Sequence, residues 1–161
     1  MLRQDILIDT ETLIIHDWIL RIKPRHDVLG AKTILKRLKN KFVLILGDKG
    51  YDSEKLHKLA NEIGNIFFAP VRNMKKIPKG FHRKRCAKGN KHYSKRNTVE
   101  SVVHALKCMK GELRSKLHHT KKKEFGWTVI LFNMKRVIKV IIYILENNIL
   151  DESQKPKILY N

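Results

Sequence analysis

The chain has 161 residues, 42% of them apolar, which is enough for one domain with a hydrophobic core and excludes a disordered basic tail. Lys and Arg total 35 against 15 Asp and Glu, a formal net charge of +20. Such an excess repels itself unless a polyanion is near, which points to nucleic acid first and an anionic membrane surface second.

Asp5 to Asp9 reads as a short strand, Asp9-Thr10-Glu11-Thr12 as a turn, and Leu13 to Ile22 as a second strand, together a hairpin. Pro24 breaks the pattern, and Asp27 can cap a helix over about Val28 to Leu38. Phe42 to Leu46 is a continuous apolar run, the mark of a strand buried on both faces. It ends in Gly47-Asp48-Lys49-Gly50-Tyr51, after which a helix is expected over Ser53 to Ile63 and a strand over Asn65 to Pro70. This order predicts an α/β layer fold. Val71 to Val99 contains no acidic residue and reads as a basic loop or insertion, 71–95, that includes Arg83-Lys84-Arg85. Two helices follow, roughly Arg96 to His118 and Thr128 to Asn147, with Phe125 and Trp127 as core anchors at the start of the second. Residues 1–150 thus read as one domain and 151–161 as a disordered tail.

The apolar segment Thr128 to Leu145 carries Asn133, Lys135, Arg136 and Lys139, so it predicts a buried or amphipathic helix and not a membrane span. Cys86 and Cys108 make no disulfide framework, and the N-terminus has no signal-peptide core. A cytoplasmic protein is expected. His82, Cys86 and His92 lie close in sequence but contain one thiol and no C-x-x-C pair, which argues against structural zinc.

Two places carry candidate chemistry. Asp48 follows the most buried strand, where α/β folds place functional groups; it can equally be a turn residue. On a helix at about 100° per residue, Tyr93, Arg96, Glu100 and Lys107 fall within roughly 60° of one another. Val99, Val102, Val103, Leu106, Met109 and Leu113 occupy the adjacent arc as the core face. One carboxylate among a phenol and cations can bind a divalent metal while its neighbours hold phosphates. The alternatives are a capping box at Asn97-Thr98-Val99-Glu100, which puts Tyr93 and Arg96 ahead of the helix, and an ordinary Arg96–Glu100 ion pair.

The spacing Tyr93-x2-Arg96-x3-Glu100-x6-Lys107 resembles the signature of the DDE class of insertion-sequence transposases, which have an RNase-H-like core. Gly47-Asp48-Lys49-Gly50-Tyr51-Asp52-Ser53 resembles the segment holding that family's second Asp, and His26-Asp27 and Asn133-Met134-Lys135-Arg136 resemble further family segments. The resemblance implies an RNase-H-like mixed sheet flanked by helices. It implies Asp48 and Glu100 as the second and third catalytic carboxylates, binding Mg²⁺ or Mn²⁺ for strand cleavage and transfer in DNA transposition. It also implies Tyr93, Arg96, Lys107 and the basic Arg83, Lys84 and Arg85 as contacts to double-stranded DNA at the transposon ends. The family's first Asp lies on a strand preceding the hairpin; Asp9 is the nearest candidate and Asp5 is no better. The expectation is therefore a sheet lacking its first strand, inactive alone, with a homodimer or another chain supplying that strand. The alternatives are a non-catalytic DNA-binding transposase remnant and a basic RNA-binding protein.

Overall fold

A computed structural model describes residues 3–21, 27–38, 44–72, 78–110 and 114–153. His26, Phe42 and Leu113 lie outside the described residues, as do 154–161 of the expected tail. The elements are β1 (Arg3–Ile8), β2 (Ile15–Arg21), α1 (Asp27–Arg37), β3 (Leu44–Leu46), α2 (Glu54–Glu62), β4 (Ile66–Phe68), α3 (Phe81–Cys86), α4 (Thr98–Lys110) and α5 (His118–Ser153). Short 3₁₀ turns at Lys49–Tyr51 and Tyr93–Asn97 precede α2 and α4. The class is mixed α/β, in the predicted order. The described strands form two ladders: β1 and β2 antiparallel, β3 and β4 parallel.

Period-2 alternation in β1 divides its side chains between two cores. Ile6 and Ile8 pack on the core of Ile15, Leu20, Val102, Leu106, Phe125, Val129 and Phe132, where the hairpin meets α4 and α5. Leu7 points the other way, to Leu35, Ile45, Leu56, Ala60, Phe67 and Ala69, where α1 and α2 cover β3 and β4. Gly47 is required where β3 ends, since a Cβ there would stand 2.7 Å from Phe67 Cζ. The hairpin turn is fixed by Asp9, whose carboxylate accepts from the Glu11 amide at 3.0 Å and the Thr12 hydroxyl at 2.7 Å.

Several expectations need correction. The stretch 71–95 is not all loop: it contains α3, because Glu54 accepts the exposed amides of His82 (3.1 Å) and Arg83 (3.0 Å) at that helix's first turn. Tyr93 and Arg96 precede α4 in a 3₁₀ turn, closed where Thr98 Oγ1 donates to the Lys95 carbonyl at 2.6 Å. The last helix starts ten residues earlier than expected, at His118. Phe125 is buried, but Trp127 is 65% exposed, and Met109 leaves the core face. Past Arg136, α5 projects from the body, with Ile138, Ile141 and Leu145 exposed.

Asn133 acts as a strand partner for β2. Its Nδ2 donates to the Ile15 carbonyl and its Oδ1 accepts the Ile15 amide, both at 2.9 Å. Asn133→Ala should lower stability by about 2 kcal/mol, the loss of two half-buried hydrogen bonds. Thermal melting should register this as a drop of roughly 4–8 °C.

Candidate active site

Asp48 stands where β3 gives way to the 3₁₀ turn, and its carboxylate accepts from the Lys49 amide at 2.7 Å. Glu100 lies in the first turn of α4. These two carboxylates, far apart in sequence, converge on one guanidinium: Arg96 Nη1 is 3.6 Å from Asp48 and Nη2 is 3.1 Å from Glu100. Both acids are largely exposed, Asp48 at 56% and Glu100 at 70%, whereas Arg96 is 25% exposed. The ion pair named above as an alternative is therefore present, and it also gathers Asp48 to the same place.

Tyr93 anchors Arg96. Its ring packs edge-on against Phe68 at 5.5 Å, and the Arg96 guanidinium lies over the ring 5.8 Å from its centroid. Burial pushes the Tyr93 hydroxyl up from its ordinary pKa, so it remains a neutral donor at pH 7. Lys107 is exposed on α4, two turns beyond Glu100. Of the basic triplet, Lys84 and Arg85 are exposed. Arg83 is held by Asp52, with Nε to Oδ1 at 2.6 Å and Nη2 to Oδ2 at 2.7 Å.

Asp52 and Glu54 are functional supports that sequence reasoning missed. Asp52 also accepts the Arg72 amide at 2.9 Å, and Arg72 Nη2 donates to the Gly50 carbonyl at 2.8 Å. The turn behind Asp48 is thereby braced from two sides. Tyr51, in the same turn, donates to Asp5 at 3.2 Å, and Asp5 also pairs with Arg21. Asp5 lines the cleft that holds Asp48 and Glu100, but it is buried and engaged. Asp9 is engaged in the hairpin turn, its pKa lowered by the hydrogen bonds from the Glu11 amide and the Thr12 hydroxyl.

Ionised carboxylates are hard oxygen ligands suited to Mg²⁺ or Mn²⁺, and the exposure of Asp48 and Glu100 leaves room for water to complete a coordination shell. Both now pair with Arg96. Among the described residues, no group of three or more His, Cys, Asp or Glu is placed to hold a metal.

An α/β domain with two carboxylates gathered at the end of a buried strand, beside a surface of Lys and Arg, has the build of a polynucleotide-processing domain. Residues 1–134 match the transposase DDE domain family, and the chain belongs to that family. Its role lies in DNA transposition, and the family acts on DNA. No curated protein and no solved structure matches the chain. Among the described residues, no helix is long and apolar enough to cross a membrane.

Proposed function

We propose that residues 1–150 are part of a transposase catalytic domain in which Asp48 and Glu100 hold Mg²⁺ or Mn²⁺ against a phosphodiester at the transposon end. The observation that carries this reading is the convergence of both carboxylates on Arg96. Asp48 and Glu100 would hold the ion, which when bound would supply Lewis-acid chemistry to the phosphodiester. Arg96, displaced from the carboxylates, can pair with a phosphate in bidentate fashion, and Tyr93 and Lys107 hold neighbouring phosphates. Lys84, Arg85 and the exposed cations near them supply non-specific affinity for the duplex. Since Asp5 is buried against Arg21 and Tyr51 and Asp9 is held in the hairpin turn, the described residues supply two exposed carboxylates to the site. The chain by itself therefore grips DNA without cutting it, and a third carboxylate is needed for cleavage. A homodimer is one way to bring it.

The test is Mn²⁺ binding and plasmid nicking by wild type, Asp48→Asn and Glu100→Gln. Each substitution should weaken Mn²⁺ binding by roughly tenfold or more, since losing even an outer-shell partner of a metal ligand costs about 10–100-fold. Affinity for duplex DNA should not fall. Unchanged Mn²⁺ binding in both variants would overturn the site. Nicking by wild type that disappears in both variants would uphold the site and refute the need for a third carboxylate.

A further inference from the structure

α5 has two apolar faces, and the body covers one of them. Phe125, Val129 and Phe132 are buried in the core shared with β2 and α4. At about 100° per residue, Trp127, Ile130, Met134, Val137, Ile141 and Leu145 fall within roughly 80° of one another on the opposite side of the helix. All six are exposed. They recur at spacings of three and four, the seam of a helix that packs on another helix. Beyond Phe132 the line of the covered face continues as Arg136, Lys139 and Tyr143. That side turns polar while the exposed stripe stays apolar.

The six side chains offer roughly 600 Å² of accessible face, so two copies meeting there would bury about 1,200 Å² in all, which reaches the range of stable interfaces. An apolar stripe of that size is unusual on a chain that stays alone. Charge selects the occupant. α5 carries Lys121-Lys122-Lys123 near its start, and from Val140 to Ser153 it has Glu146, Asp151 and Glu152 and no Lys or Arg. The stripe from Trp127 to Leu145 and the helix from His118 to Ser153 share a midpoint at Lys135 and Arg136. Two α5 helices lying side by side in opposite directions therefore place stripe on stripe, and the basic start of each along the acidic end of the other. A parallel pair would set like charges together at both ends. In the antiparallel pair the bodies lie on the outer sides, with their docked turns about 20 Å apart along the axis, roughly two Debye lengths at physiological salt. The charge of +20 on each copy is then largely screened from the other.

We propose that this chain forms an antiparallel dimer through the Trp127–Leu145 stripe of α5. The pairing uses no strand edge, and it rests on α5 alone and not on the catalytic reading.

Sedimentation of the full chain from about 1 to about 100 μM should reach twice the chain mass at the top of the range. Met134→Glu with Ile141→Glu should keep it monomeric throughout, with an unchanged far-UV spectrum, since both positions are exposed. Glu146→Lys tests the same surface with a milder change. In the shared-midpoint register Glu146 comes within one turn of the partner's Lys122, so reversing its charge should weaken the dimer by roughly fivefold, and adding Lys122→Glu should recover it. Orientation is read by cross-linking in a Cys108→Ser background. A short bismaleimide should link Met134→Cys copies, which meet near the midpoint, and not Trp127→Cys copies, which lie at opposite ends. Asp48→Asn should dimerise like wild type, so that failure of the dimer and failure of the metal site read out separately. A chain that is monomeric at every concentration overturns the proposal. So does a dimer that survives both Glu substitutions, or linkage of Trp127→Cys as strong as that of Met134→Cys. Binding of the monomer to phosphatidylserine vesicles that the Glu substitutions abolish assigns the stripe to a membrane surface and overturns it equally.

Discussion

Raising monovalent salt from about 50 to about 200 mM should weaken binding to duplex DNA by about a thousandfold. Lys79, Lys84, Arg85, Lys88, Lys91 and Lys95 are all exposed on the stretch between β4 and α4. If each neutralises one phosphate, log affinity should fall with a slope of roughly −5 against log salt, since each contact contributes about −0.9. A fourfold rise in salt then gives about three decades. Fluorescence anisotropy of a labelled duplex at four salt concentrations measures the slope. Lys84→Ala with Arg85→Ala should flatten it by about 2. Arg83→Ala should change it much less, because Asp52 holds that guanidinium. A slope shallower than about −2 in the wild type would mean that this surface does not face DNA. A single-stranded RNA competitor that wins at every salt would favour the RNA-binding alternative instead.

The difference between Arg83 and its two neighbours shows where reading the sequence stops. Local features were legible. The hairpin, β3, α2 and β4 follow from alternation, from one apolar run and from turn residues, all of which act within a few residues. The approach of Asp48 to Glu100 came from the resemblance, and Arg96 provides it physically. What the sequence did not disclose depends on long-range partners. Arg83, Lys84 and Arg85 look equivalent until Asp52 is placed beside the first. The 71–95 stretch looks like loop because α3 draws its N-terminal support from Glu54, on another element. Trp127 and Phe125 have the same apolar appeal, yet helical phase turns one inward and the other out. The split into two ladders among the described residues accords with the expected sheet lacking its first strand.

Losing the Asp52 side chain should destabilise the fold strongly. Its carboxylate is 1% exposed and receives two guanidinium hydrogen bonds from Arg83 and the Arg72 amide. Burial alone would raise its pKa, but the Arg83 hydrogen bonds, the Arg72 amide and the Arg83 charge outweigh that and hold it below the usual range. Asp52→Ala leaves a partly buried guanidinium without its partner. The cost should be about 3 kcal/mol, at the low end for a broken buried pair because Arg83 is 24% exposed. Melting should fall by roughly 6–12 °C. Adding Arg83→Met to Asp52→Ala should recover part of the loss, since the orphaned charge is then gone; a double variant no better than the single would show that Asp52 matters through the Arg72 amide instead. Acid should act in the same direction. Asp52 and Glu54 both titrate below their ordinary values when folded, so their stabilisation is full above about pH 4.5 and is lost as pH falls through the lower folded values. His57 is also lowered, chiefly by burial, against the hydrogen bond its Nδ1 makes at 2.9 Å with the Phe67 carbonyl. The unfolded chain then binds a proton that the folded chain refuses, so stability declines as soon as pH drops below about 6.5. Melting curves should therefore show a shallow fall from pH 7 to 5 and a steep one below about pH 4, with the steep part reduced in Asp52→Ala. These acids hold α3 and the turn behind Asp48 together, so the same acidification should loosen the basic surface and the carboxylate site in one step.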